Sequence, residues 1–243
     1  MNCTWLGQAG LLFDFEGVKV MIDPYLSDSV AKVNPANKRR VAIERHFFDI
    51  RPDILILTHD HLDHTDPETL EVILRRWDNI CVLASGNAWK RVRTYGLSHN
   101  YVMFDRGTEW TQCDICFRAV HAQHSDDSAI GVMITWQGRT FYVTGDTLYH
   151  DRVIEDVLGT GLKPETVFLP VNGVGNNMNM IDAARFARAI KAENVVPIHF
   201  GLFDNLNPEK DFPCENKVVP EIYEDIKLVC ASTGESVSEW NIM

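Results

Sequence analysis

The chain has 243 residues, of which 45% are hydrophobic and 23% charged, with a formal net charge of −11, the balance of a folded globular protein. Such an excess of acidic side chains argues against a general nucleic-acid binder, whose phosphate contacts need a basic face. No apolar run approaches the roughly 20 residues of a membrane span, and no Gly-, Pro- or Ser-rich linker divides the chain, so one domain over residues 1–243 with no membrane partner is expected.

Met1-Asn2-Cys3-Thr4-Trp5-Leu6-Gly7 lacks the charged n-region and apolar h-region of a secretion signal. The six cysteines, Cys3, Cys81, Cys113, Cys116, Cys214 and Cys230, are scattered, which favours reduced thiols and a cytoplasmic location. Asn2 to Leu6, Leu11 to Phe15 and Val18 to Ile22 read as short strands joined at Gly7-Gln8-Ala9-Gly10 and Glu16-Gly17, and Asp23-Pro24 ends the third. From Leu26 to Asp49 there is no clean periodicity, and Asn34-Pro35-Ala36-Asn37-Lys38-Arg39-Arg40 is polar and basic. Such a stretch is either a substrate loop, with Lys38, Arg39 and Arg40 holding a phosphate or carboxylate, or a solvated face.

Ile54-Leu55-Ile56-Leu57 reads as a buried strand. A helix from Pro67 to Trp77 follows, with Asp66 as N-cap, proline at the first position and Leu70, Ile73 and Leu74 on one face. Between strand and helix lies Thr58-His59-Asp60-His61-Leu62-Asp63-His64. His59 and His61, two apart in an extended segment, point the same way and suit one metal ion; Asp63 and His64 follow at the turn and reach a second. Four potential ligands in so short a loop at a strand end favour a metal site over a merely hydrophilic loop. Imidazole and carboxylate without thiolate suit Zn²⁺, Mn²⁺ or Fe²⁺.

Further on, a strand Ile80 to Ala84, a helix Asn87 to Tyr95 and a short strand near Tyr101 to Phe104 complete the first half. Strands at Asp114 to Ala122, Ala129 to Trp136 and Arg139 to Val143 form a second meander, with Gln137-Gly138 as a hairpin turn. Cys113-Asp114-Ile115-Cys116 is placed on the first of these, where positions three apart face opposite sides, which argues against a redox or zinc pair. A helix near Arg152 to Leu158, a strand Thr166 to Pro170, a helix Ile181 to Lys191 and a strand Val195 to Ile198 follow. By pattern alone this is a mixed α/β domain.

The motif His59-Asp60-His61-Leu62-Asp63-His64 resembles the His-x-His-x-Asp-His signature of the metallo-β-lactamase superfamily. The resemblance implies a four-layer αββα sandwich, two divalent metal ions, Mn²⁺ or Zn²⁺, and three further ligands: His124 for the first metal, Asp146 bridging both, and His199 for the second. It also gives Asp23 a supporting role behind the ligands, beside the plain reading of an Asx turn before proline. His121 competes with His124; the loop Ser125-Asp126-Asp127-Ser128 puts His124 among the ligands and leaves His121 to pack nearby or to bind substrate.

Within the superfamily the chain is similar to the L-ascorbate-6-phosphate lactonase-like branch of metal-dependent hydrolases. The similarity lies in Thr144-Gly145-Asp146-Thr147, Leu169-Pro170-Val171-Asn172-Gly173, Gly175-Asn176-Asn177-Met178-Asn179 ahead of Asp182-Ala183-Ala184, and Pro197-Ile198-His199-Phe200. It implies a dinuclear hydrolase in which a shared water, its pKa lowered from ~15.7 towards ~7, opens a phosphorylated sugar lactone. Asp63 and Asp146 would hold the metals and relay the proton, while Asn177, Asn179 and Asn205 orient an anionic small-molecule substrate. Similar lactonases form homo-oligomers. A phosphodiesterase of the same fold and a non-catalytic metal-binding or sensor protein are the alternatives; an iron oxygenase of this fold is disfavoured by the intact Asp63-His64 pair.

Overall fold

The apolar run Ile54–Leu57 forms a strand whose four residues are fully buried, as expected of a parallel strand covered on both faces. It sits in a sheet that carries the histidine motif at its carboxyl end. The structure, a computed structural model, describes residues 1–203, 227–228 and 239–240. These divide into two compact units, residues 1–104 with 201–203 and 239–240, and residues 105–200 with 227–228.

In the first unit, β1 (Asn2–Gly7), β2 (Gly10–Phe15) and β3 (Val18–Ile22) form the expected antiparallel meander. From β3 the sheet continues in parallel through β4 (Ile54–Leu57), β5 (Cys81–Ala84) and β6 (Asn100–Met103), and a short strand at Glu239–Trp240 adds to β1. Val20 pairs with Ile54 and Ile22 with Ile56, so the chain leaves β3 at Asp23 beside the point where it leaves β4 at Thr58.

The segment between β3 and β4 is less irregular than its composition suggests. It holds α1 (Ser29–Val33) and two short 3-10 turns at Pro35–Asn37 and Arg45–Asp49. Helix α2 (Pro67–Arg76) starts as expected: the Asp66 carboxylate accepts from the Glu68 and Thr69 backbone N–H groups, and Thr69, Leu70, Ile73 and Leu74 form the buried face. That face joins Leu6, Leu12, Met21, Leu55, Leu57 and Val82 in one core, to which α3 (Gly86–Arg93) adds Ala88 and Val92.

The second unit repeats the plan. Strands β7 (Glu109–Gln112), β8 (Ile115–His121), β9 (Ile130–Trp136) and β10 (Arg139–Val143) are antiparallel; β11 (Thr166–Pro170), β12 (Asn194–Ile198) and a short strand at Lys227–Leu228 then continue in parallel. Helices α4 (Asp151–Gly159) and α5 (Met180–Ala189) belong to it, α5 burying Ala183, Ala184, Phe186 and Ala187.

Gln137 and Gly138 turn the β9–β10 hairpin with positive φ at both, as a two-residue type I′ turn requires. β7 was not anticipated, and it changes one reading. Cys113 and Asp114, both at positive φ, form the β7–β8 hairpin turn, so the CxxC starts in a turn and only Ile115 and Cys116 lie on the strand. Cys3, Cys81, Cys113 and Cys116 are free thiols, and burial pushes the Cys81 thiol up to about 11. Cys214 and Cys230 lie outside the described residues. Among the described residues, no helix is long and apolar enough to cross a membrane.

Candidate functional site

In the first unit the site is built on a buried carboxylate. Asp23, 1% exposed, accepts the Thr58 backbone N–H at 2.8 Å on Oδ1, and on Oδ2 the Thr58 hydroxyl at 2.5 Å and the His64 Nδ1–H at 2.8 Å. Because the Thr58 proton goes to Asp23, the Thr58 oxygen is free to accept from His59 Nδ1–H, 3.0 Å away. One carboxylate thereby fixes the tautomer of two histidines and leaves the Nε2 lone pair of each as the available ligand atom. His59 and His64 are both 0% exposed, with ring centroids 3.9 Å apart. A ligand atom from each of Asp23, His59 and His64 lies within 4.8 Å of the others.

The rest of the motif closes round these rings. His59 Nε2 and His61 Nδ1 face one another at 3.1 Å, and Asp63 Oδ2 lies 3.8 Å from His64 Nε2. The loop is held by its own backbone: the His64 and Thr65 N–H groups donate to the His61 carbonyl, and the Thr65 hydroxyl to the His59 carbonyl. Asp60, the spacer between the first two histidines, turns outward to an ion pair with Arg91 of α3. Asp23 thus braces Thr58 and His64, with its oxygens already occupied by donors.

In the second unit the groups sit at the carboxyl ends of β8, β10 and β12. Asp146, 4% exposed, follows Gly145 at φ +59°. Its Oδ2 accepts from Asn177 Nδ2 at 2.9 Å and faces His199 Nε2 at 3.2 Å and His124 Nε2 at 3.8 Å. His124 Nδ1 lies 3.2 Å from the Asn176 carbonyl, which can only accept, so Nδ1 carries a proton, and in the neutral tautomer Nε2 aims its lone pair at the carboxylate.

His199 Nδ1 meets the Asn172 amide at 3.0 Å. Among the described residues Asn172 Oδ1 is buried without a partner, and exchanging the ends of that amide lets it accept from His199 Nδ1–H. His199 then also presents a lone pair to Asp146. Two lone pairs converging on one anionic oxygen repel unless a cation or protons lie between them. The donor set in each unit, imidazole and carboxylate with no thiolate, therefore fits a hard or borderline divalent ion. His199 itself is held at φ +60°, an uncommon conformation for a non-glycine.

Thr147 knits this set together: its Oγ1 accepts the Gln123 N–H and its carbonyl the Met178 N–H, tying the His124 loop and the 172–179 loop to Asp146. Its place beside Asp146 in the sequence gave the only signal of that role. Asn177 is 5% exposed and reaches Asp146, with Oδ1 buried and unpartnered. Asn179, by contrast, spends its Oδ1 on the Asp182 N–H as the N-cap of α5. His121, on β8, is half-buried; burial first, then the Arg152 and Arg106 charges, lowers its pKa.

Lys38 is exposed, as is Arg40, whose backbone N–H donates to the Leu202 carbonyl. The Arg39 guanidinium donates to the Tyr25 and Val41 carbonyls and stands 5.2 Å over the Tyr25 ring. Asn205 lies outside the described residues.

Comparison with known proteins gives the family. Residues 19–200 match the family described as beta-lactamase superfamily domain. A UPF0173 metal-dependent hydrolase of Methanosarcina mazei is 29% identical over 252 residues, covering 98% of each chain. Among solved structures, Igni18, a metallo hydrolase from Ignicoccus hospitalis, matches with TM-score 0.76 and 21% identity over 100% of this chain and 99% of that one. CmlA, a diiron β-hydroxylase from Streptomyces venezuelae, matches with TM-score 0.74 and 17% identity over 99% of this chain and 54% of that one. The chain has the metallo-β-lactamase fold and belongs to the beta-lactamase superfamily, where its full-length relatives are metal-dependent hydrolases.

Proposed function

We propose that the protein is a dinuclear metal-dependent hydrolase that opens a lactone ring, with a phosphorylated sugar lactone as the substrate class. His59, His61 and His124 would hold one divalent ion, Mn²⁺ or Zn²⁺, Asp63, His64 and His199 the other, and Asp146 both. When bound, such a pair supplies hydroxide at neutral pH and draws electrons from the substrate carbonyl. The chain's own groups do the rest. Asp23 and the Asn176 carbonyl keep protons on the outer nitrogens of His59, His64 and His124, so the inner ones remain ligands. Asn177 holds the Asp146 carboxylate in place, and Asp63 takes the proton that the attacking water loses and returns it to the leaving alkoxide.

The observation that carries this reading is the paired tautomer control by Asp23, since a buried carboxylate spent on orienting two imidazoles serves a ligand set and little else. The lactone assignment is supported by the similarity in the segments around Asp146, Asn172 to Asn179 and His199. The test is metal content of protein purified without added metal, together with turnover of a sugar-phosphate lactone and of a generic phosphodiester after Mn²⁺ or Zn²⁺ loading. Near two metals per chain with acid release from the lactone is expected, and His59→Ala or Asp146→Ala lowers both. Diester cleavage alone would change the substrate class to the phosphodiesterase alternative, and no metal with no turnover would overturn the reading.

A further inference from the structure

The turn between β1 and β2, Gly7-Gln8-Ala9-Gly10, looks like simple punctuation in the sequence, but its second residue is out of place in a simple turn. Gln8 sits at φ +52° and is 1% exposed. A left-handed backbone strains a non-glycine residue, and burying a polar amide adds a desolvation cost. Glycine or an exposed asparagine closes such a turn more cheaply.

What the glutamine supplies is a donor: its Nε2 reaches Asp63 Oδ2 at 2.8 Å, across 55 residues of sequence. The turn is built to deliver it. The Trp5 indole donates to the Gln8 carbonyl at 2.9 Å, and the β1–β2 register shifts between Trp5 and Gly7, the kind of irregularity that re-aims a side chain. Gly10 leaves no room for movement. A Cβ there would lie 3.0 Å from Leu6 Cβ, 3.1 Å from the Gly7 carbonyl oxygen and 3.2 Å from that of Asp23. The turn is therefore seated on the backbone of the residue whose carboxylate orients His59 and His64.

We infer that Gln8 is a positioning residue of the metal centre, holding Asp63 Oδ2, the oxygen that stands 3.8 Å from His64 Nε2, in place beside that ring. The amide is neutral, so it orients Asp63 without cancelling its charge, as a lysine or arginine there would. This rests on the metal-centre reading above.

The test uses the full chain stripped of metal and titrated with Zn²⁺ or Mn²⁺ alone against a competing chelator, with Co²⁺ visible absorption as a report on ligand geometry. Gln8→Glu keeps the side-chain size and replaces the donor by a carboxylate that repels Asp63; Gln8→Ala removes size and donor alike. Each is expected to weaken one of two binding events about 10–100-fold, to alter the Co²⁺ spectrum, and to leave the other event within about twofold of wild type. If Gln8→Ala fails to fold, Gln8→Glu decides. Wild-type titration and spectrum in both variants would overturn the inference alone. Equal weakening of both events with a lowered apo melting temperature would reduce Gln8 to a structural role and overturn it as well. A wild type that takes up no metal would overturn the metal-centre reading first and the inference with it.

Discussion

Asp23 takes three donors in a place closed to bulk water. Removing it in Asp23→Ala leaves the Thr58 N–H, the Thr58 hydroxyl and the His64 Nδ1–H buried without that acceptor, at about 1–3 kcal/mol for each group left unsatisfied. It also frees His59 and His64 to take the other tautomer. The expected outcome is a metal affinity about 10–100-fold lower, together with a lower melting temperature of the apo protein. A chelator-competition titration and apo calorimetry measure the two effects. Asp60→Ala is the control: its carboxylate faces Arg91, which is half exposed, and metal affinity stays near wild type. Unchanged affinity in Asp23→Ala would refute the tautomer argument. At this scale the sequence showed what was local. His59, His61, Asp63 and His64 were legible because their spacing alone makes a ligand cluster. The contact between Asp23 and His64 depends on β3 lying in register beside β4, and the one between Gln8 and Asp63 on an irregular β-turn; no spacing encodes either.

Strands and helices were legible wherever composition and period agreed. The run Thr166–Pro170 and the Gln137-Gly138 hairpin needed only local propensity, and α2 announced itself by Asp66-Pro67. β7 was missed because Glu109–Gln112 is short and half exposed, and it becomes a strand through pairing with β8. Gly131 makes the same point inside a correctly placed strand. It reads as one residue of β9, yet a Cβ there would meet Tyr142 Cε2 at 2.8 Å, the Tyr142 hydroxyl at 2.9 Å and the Thr144 carbonyl oxygen at 3.0 Å. Tyr142 is fully buried and Thr144 leads into Gly145-Asp146, so neither neighbour gives way easily. Gly131→Ala is expected to cost about 1–3 kcal/mol by overpacking, read as a melting temperature several degrees lower in calorimetry. A melting temperature equal to wild type would show that Tyr142 has room to move.

Over the whole molecule, the repeated plan of an antiparallel meander followed by parallel strands was visible in the turn signals, whereas the ion pairs that tie distant segments were not. Glu165 and Asp156 illustrate them, and Asp14 adds a local pair with Lys19. The Arg139 guanidinium holds Glu165 below its usual value; at Asp14 and Asp156 burial alone would raise the pKa, but hydrogen bonds from Lys19 and the Gly17 N–H, and from Arg106 and the His121 N–H, outweigh it. A carboxyl whose folded pKa lies below its unfolded one contributes stability that is fully present above the unfolded value, near 4, and disappears as the pH falls through the folded value. A double variant, Asp156→Asn with Glu165→Gln, isolates two of these contributions, whose partners are Arg106 and Arg139. Its melting temperature is expected to lie below that of wild type at pH 7 by a constant margin down to about pH 5, and the margin to shrink to nothing by about pH 2. Melting curves of both proteins across that range measure it. A margin that persists undiminished at pH 2 would mean that the two carboxylates stabilise the fold through packing and not through their charge.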